Sequence, residues 1–222
     1  LEPSGFFPGI WDTNVIDGEP YGVPMNLNVH HPDVNVPVLW WRSVGSSHTA
    51  FVMETLIDEL AAATKQDPVA YRLKLMEGNA KAAHHRAALQ AAVAKSGYGQ
   101  RKLPAGSAWG VAVHESFESV VAYVVVASVK GKGADRQVSL HEVHAGVHCG
   151  LCVNPKAVEA QVQGAALMAL ARRLTRRASI SPALRASFAL CAGAFLALSA
   201  YERWYAQETR MYALAVLVGI LA

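Results

Sequence analysis

The chain has 222 residues, 52% of them hydrophobic and 17% charged. That length holds one generous domain or two small ones, and so much apolar material with so little charge excludes a disordered chain. Twenty Lys and Arg against 17 Asp and Glu leave a net charge of +3, too mild to mark a nucleic-acid partner or an acidic one. The average hides an asymmetry: residues 172–185 carry five arginines and no acid, and 186–222 are almost wholly apolar apart from one polar cluster. Three cysteines, Cys149, Cys152 and Cys191, are an odd number and cannot build a disulfide framework. The first residues, Leu1 to Gly5, have no basic region, no apolar run and no initiator Met, and read as an internal start within a larger protein.

Residues 1–38 are rich in Gly, Pro and Asn and are expected to form loops and short edge strands. After Trp40-Trp41-Arg42-Ser43-Val44-Gly45, the helical spacing of Met53, Leu56, Ile57 and Leu60 predicts a helix of about four turns, capped by Ser46 or Ser47. Asp67-Pro68 supplies a cap followed by proline in the first turn, so a second helix starts there and closes at Gly78. Asn79 and Gly97 bracket a third, alanine-rich helix.

From Trp109 the period changes to two. A short strand at 109–113 precedes a longer one in which Val120, Ala122, Val124 and Val126 alternate with their neighbours. A turn at 130–135 leads into a further run where Val138 and Leu140 share one parity and Val143, Ala145 and Val147 the other. A β-bulge near His141-Glu142 reconciles them. Asn154-Pro155 repeats the cap-plus-proline signal and opens a helix with Val158, Val162, Ala165 and Ala169 on one face. The pattern is α+β.

His141, His144, His148, Cys149 and Cys152 are all acceptable zinc ligands. The spacing argues against a site, since strand alternation puts His144 and His148 on one face and His141 on the other. No metal ligands are assigned. A second feature is Arg42 before Val44-Gly45-Ser46-Ser47 at a helix start, where a cation, a close-approach glycine and free backbone N–H groups suit an anion. The helix after Asn154 offers the same arrangement, with the amides of Gln161 and Gln163 able to meet a heteroaromatic ligand.

The run Val36 to Phe51, then Glu54, Ile57 to Ala61, Asp67-Pro68 and Arg72-Leu73, resembles the molybdopterin-binding subunit of the xanthine dehydrogenase/aldehyde oxidase family, closest to the isoquinoline 1-oxidoreductase large-subunit type. Ala112-Val113-His114-Glu115-Ser116-Phe117 and the stretch from Cys149 through Asn154-Pro155 to Gly164 are similar to it as well. The resemblance implies a molybdenum hydroxylase acting on aldehydes or nitrogen heterocycles, with molybdopterin as cofactor and a separate small [2Fe-2S] subunit as electron partner. It implies that Arg42 and Gly45 bind the cofactor, that Val44 faces substrate, and that Gln161 contacts the pterin. Two positions depart from the family pattern: Glu118 stands where glycine usually follows Ser-Phe, and His148 where an aspartate precedes Cys-Gly. The family's general base, a glutamate in a Gly-Glu motif downstream of the Gln-Gly helix, has no counterpart in this sequence, so no catalytic residue is assigned and no turnover by the isolated chain is expected.

The tail follows another pattern. A span of about 20 residues from Pro182 to Tyr201 just reaches membrane length, with arginines before it and aromatic residues at its edge. A buried helix pair is the alternative. Trp204-Tyr205-Ala206-Gln207-Glu208-Thr209-Arg210-Met211-Tyr212-Ala213-Leu214 resembles a loop of polyprenyl-phosphate-sugar-dependent membrane glycosyltransferases. The expected organisation is a partial molybdopterin-binding oxidoreductase domain over 1–170, a basic junction over 171–185 and a hydrophobic, hairpin-like, membrane-type segment over 186–222. Two unrelated reading frames would meet near 171–178. Alternative readings are a glycosyltransferase fragment defined by the tail, or a noncatalytic module that keeps the oxidoreductase fold. The parent oxidoreductase would be periplasmic or cytoplasmic, with membrane contact through 186–222 and no nucleic-acid partner.

Overall fold

The computed structural model describes residues 20–23, 46–131 and 137–177. The loops expected over 1–38 (apart from 20–23), the segment Trp40 to Gly45, most of the turn at 130–135 and the hydrophobic tail 186–222 lie outside the described residues. Among the described residues no helix is long and apolar enough to cross a membrane. In chain order the elements are α1 (Ser46–Ala63), α2 (Pro68–Leu75), a 3₁₀ turn (Ala80–Ala82), α3 (Ala83–Ser96), β1 (Ser107–Ser116), β2 (Ser119–Lys130), β3 (Gln137–His148) and α4 (Pro155–Arg177). The α+β pattern read from the sequence is present.

The helix boundaries follow the local chemistry. Asp67 accepts hydrogen bonds from the N–H groups of Val69 (3.0 Å) and Ala70 (2.9 Å), with Pro68 at the first helical position where a missing N–H costs nothing. Asn79 caps the 3₁₀ turn through the N–H of Lys81, and Gly97 ends α3 in the left-handed region at φ +65°. α1 is longer than expected, 18 residues, and Ser46 lies inside its first turn rather than ahead of it. α4 continues through 171–177, the first half of the expected basic junction, without a break.

The strands form an antiparallel sheet in the order β1-β2-β3. Central β2 is buried from Ser119 to Val126 on both sides, because α1 to α3 cover one face and α4 the other. Val111, Val113, Val120, Ala122 and Val124 look towards α1 to α3, whereas Ala112, Val121, Tyr123 and Val125 look towards α4. Each fully buried valine contributes about 1.5–3 kcal/mol, so this strand supplies much of the core. The register between β2 and β3 slips at one point: Val126 pairs with Glu142 but Ala127 with Leu140, leaving His141 as the extra residue. The bulge expected from the parity change is there, and it lets Val138 and Leu140 share the α4 face with Val143, Ala145 and Val147.

Two devices fix the helices to the sheet. Alanine-rich α3 lies close on β3, where a Cβ on Gly146 would overlap the Ala88 carbonyl oxygen and meet Ala92 N at 3.0 Å, so only glycine admits this approach. On the other side of the same layer, Glu54 of α1 receives the Arg72 Nε of α2 at 3.0 Å, the Tyr21 hydroxyl at 2.6 Å and the N–H of Val113 at 2.9 Å. Among the described residues β1 is an edge strand, and Glu54 satisfies a backbone donor that the edge would leave open.

Candidate functional site

The elements converge at one end of the sheet. β1 and β2 are joined by the two-residue turn Phe117-Glu118, with φ of +47° and +63°, between the paired Ser116 and Ser119. Positive φ at both central positions is the backbone of a type I′ hairpin turn, which normally selects Asn or Gly. Glu118, one of the two departures from the family pattern, thus occupies a position where glycine is unstrained. The Ser46 hydroxyl donates to Ser116 Oγ at 3.1 Å, which ties the start of α1 to this end. β3 finishes here too, since His148 pairs with Val120, and α4 begins after the six residues 149–154. The start of α1 is therefore held at this sheet end, and α4 follows β3 from the same end after a short connection.

Gln161 lies two turns into α4 and is 1% exposed. Among the described residues neither its amide nitrogen nor its amide oxygen has a hydrogen-bond partner. The adjacent residue, Val162, is held on the sheet by its carbonyl, which accepts from the Tyr123 hydroxyl at 3.0 Å. A buried polar group without a partner costs about 1–3 kcal/mol, so both ends of the Gln161 amide call for a partner beyond the described residues. Gln163, considered beside it from the sequence, does not join the site. Its side chain donates to Glu159 Oε1 at 3.0 Å on the exposed face.

His114 is a residue to which sequence reasoning attached no role. It is 9% exposed, its Nε2 has no partner among the described residues, and it pairs across the ladder with Val121. Burial, with a smaller contribution from His85, pushes its pKa down to about 3, so the ring is neutral at physiological pH. The signal that could have found it is parity: Ala112 and His114 share a face of β1.

The other histidines are placed differently from expectation. His141 Nε2 lies 2.7 Å from Ser128 Oγ, and Ser128 continues the face of Val120, Ala122 and Val124. His141 is thus on the same face as His144 and His148, not the opposite one, because the bulge turns two successive side chains to one side. His144 Nε2 meets Glu142 Oε2 at 2.9 Å, and the His148 ring stacks on His84 with centroids 3.7 Å apart. Arg101 and then His144 hold the Glu142 carboxyl below its ordinary pKa. Cys149 and Cys152 are free thiols, and burial followed by Cys152 pushes the Cys149 thiol up. Among the described residues no group of three or more His, Cys, Asp or Glu is arranged to hold a metal ion.

Glu54 and Arg72, which carried part of the resemblance, belong to the core. Arg72 also reaches Asp58 Oδ1 at 2.6 Å and two backbone carbonyls, of Glu54 and Pro68. Burial works against the charge on Arg72, but Glu54, Tyr21 and Asp58 outweigh it and raise its pKa. Burial pushes the Glu54 carboxyl up, opposed by Arg72, the Tyr21 hydroxyl and the Val113 N–H. Arg42, Val44 and Gly45 lie outside the described residues, and of the residues expected to meet the cofactor Gln161 is the one described.

No family model matches the sequence. Three curated proteins are similar to it. The beta subunit of isoquinoline 1-oxidoreductase from Brevundimonas diminuta is 24% identical over 175 residues, which are 78% of this chain and 22% of that protein. All three are oxidoreductases by name. The membrane-bound aldehyde dehydrogenase (pyrroloquinoline-quinone) of Gluconacetobacter polyoxogenes is 28% identical over 64% of this chain and 20% of its own length. A nicotinate dehydrogenase subunit of Pseudomonas putida is 30% identical over 73% of this chain and 15% of its own length. The chain thus spans about a fifth or less of the length of these relatives. None of the three carries a glycosyltransferase name, and the stretch resembling that family lies outside the described residues.

Proposed function

We propose that this chain is part of the molybdopterin-binding portion of a molybdenum-dependent hydroxylase that oxidises aldehydes or nitrogen heterocycles and passes electrons to a separate [2Fe-2S] subunit. The observation that carries the reading is the Gln161 amide, two turns into α4, buried and among the described residues unpartnered at both ends. A primary amide offers two donors and an acceptor, which suits the alternating edge of a pterin. The names of the relatives add support, since one is an oxidoreductase of isoquinoline, one a dehydrogenase of aldehyde and one of nicotinate.

The residues present fit the group. Gln161 would hold the pterin edge, and Arg42 and Gly45, just ahead of α1, would meet the anionic part of the cofactor beside the helix start. Val44 would form an aliphatic wall towards substrate. When bound, molybdopterin would carry the molybdenum that accepts the two electrons of the hydroxylation. The contribution of the chain is to bind and orient. The tie from Ser46 to Ser116 sets the start of α1, and the tie from Tyr123 to Val162 sets the height of α4.

The name of the aldehyde dehydrogenase relative specifies pyrroloquinoline quinone, which gives a second cofactor to test. The gene product that carries this sequence, purified from a host able to make molybdopterin and supplied with the quinone, is denatured and its extract separated by chromatography. The reading predicts a fluorescent oxidised pterin and molybdenum in near-equal amounts to protein. Quinone in place of pterin, or neither, contradicts it.

A further inference from the structure

The connection from β3 to α4 holds two cysteines three positions apart, Cys149 and Cys152, and both are free thiols. The chain leaves β3 after His148, bends at Gly150 and Leu151, with Gly150 in the left-handed region at φ +66°, and enters α4 at Pro155. A side-chain hydrogen bond joins the two thiols, so the bend brings their sulfurs into contact. Their exposure differs. Cys149 is half-buried, whereas Cys152 is exposed in a stretch, 150–156, that is exposed throughout. Two structural uses fail for the pair: Cys152 stands outside the core, and among the described residues no group of three or more His, Cys, Asp or Glu is arranged to hold a metal ion.

We propose that Cys149 and Cys152 are a redox-active dithiol, a modification site that closes reversibly to a disulfide by exchange with a small-molecule disulfide. The exposed Cys152 reacts first. Its thiolate attacks one sulfur of the oxidant, forming a mixed disulfide and releasing the other half, which takes up the proton that Cys152 gave up. Cys149 then loses its proton and attacks Cys152 Sγ, which breaks the mixed disulfide and releases the second half as a thiol. The two protein sulfurs lose two electrons in all, and the oxidant is reduced to two thiols. Cys149 suits the second step, because burial disfavours its thiolate and shields it from a bulky oxidant, while attack within the same turn needs no encounter. The loop that such a bridge closes is too short to stabilise the fold much, and exposed bridges are the ones that open easily. The inference stands apart from the reading given under Proposed function.

The test uses the gene product that carries this sequence. Trypsin cuts after Arg136 and Lys156, so the peptide 137–156 carries Cys149 and Cys152 and no other cysteine. The reduced, folded protein is treated with millimolar oxidised glutathione, free thiols are blocked with iodoacetamide, and this peptide is weighed by mass spectrometry while circular dichroism follows the fold. We expect at least four-fifths of the wild-type peptide to be unalkylated and lighter by two hydrogen atoms, and dithiothreitol to restore both alkylation sites. Cys149→Ser should stop at the mixed disulfide, with one glutathione on Cys152. In the reduced wild type, limiting iodoacetamide should label Cys152 at least tenfold faster than Cys149. Two alkylated cysteines after the glutathione treatment, or a glutathione on each, overturn the proposal, and so does equal labelling of the two thiols. A bridge that forms only after the circular dichroism of the fold is lost belongs to the unfolded chain and overturns it as well.

Discussion

Glu54 of α1 and Arg72 of α2 form an ion pair at 3.0 Å with both side chains closed to solvent, and Glu54 extends the pair to the Val113 N–H of edge strand β1. Desolvation of two charges is repaid here because nearly every remaining donor and acceptor is satisfied, by Tyr21, Asp58 and backbone carbonyls. Removal of one partner leaves the other charge buried alone. Arg72→Met should therefore lower stability by about 3–5 kcal/mol, and Glu54→Gln by less, because the amide oxygen can still accept from Val113 and Arg72 while its NH2 donates to the Tyr21 hydroxyl oxygen. Urea unfolding curves of the two variants check the order. An Arg72→Met protein as stable as wild type would contradict the account of this core.

The close contact of α3 with β3 depends on Gly146. Gly146→Ala places a methyl group against the Ala88 carbonyl and Ala92 nitrogen, which are backbone atoms and cannot rotate away. We expect a loss of about 3 kcal/mol and a shift in the near-ultraviolet signal of Trp109, whose ring packs beside Tyr98 and Arg101 where the chain leaves α3.

The hairpin turn makes a prediction of opposite sign. Glu118 holds φ +63° with a side chain that the left-handed region disfavours. Glu118→Gly should stabilise the protein by about 1 kcal/mol, seen as a higher denaturation midpoint with an unchanged slope. A loss of stability would mean that the Glu118 side chain makes a compensating contact.

His114 gives the fold a pH dependence. Its pKa in the folded protein, about 3, lies below the unfolded value of 6.5, so between these values the unfolded chain binds more protons. The stability that this neutral histidine contributes is complete above pH 6.5 and is lost as pH falls towards 3. One and a half pH units of that range are worth about 2 kcal/mol, so wild type should be weaker at pH 5 than at pH 7 by about that amount, and His114→Leu should remove this part of the slope. Equal slopes in the two proteins would contradict the burial of a neutral ring.

Much of the fold was legible because it rests on local chemistry. Asp67-Pro68, Asn79 and Gly97 mark helix ends through hydrogen bonds made within three residues, and the parity change between Leu140 and Val143 required the bulge found at His141. The face of His141 was misjudged because simple alternation fails at a bulge, where the pleat is interrupted. The Glu54 to Arg72 pair was not legible, since nothing within 18 residues of sequence says that α1 and α2 fold back on one another. Of the candidate site, Gln161 was read from its motif. His114 lay in a motif too, but its burial without a partner among the described residues emerges only once β1 is in register with β2.

The central claim is that the unpartnered amide of Gln161 is a cofactor contact. Its most direct test is the molybdenum content of the purified gene product, wild type beside Gln161→Ala, with far-ultraviolet circular dichroism to confirm that both are folded. The account predicts close to one molybdenum per wild-type chain and at least a tenfold loss in the folded variant. Equal molybdenum in the two proteins, or none in the wild type, would contradict it.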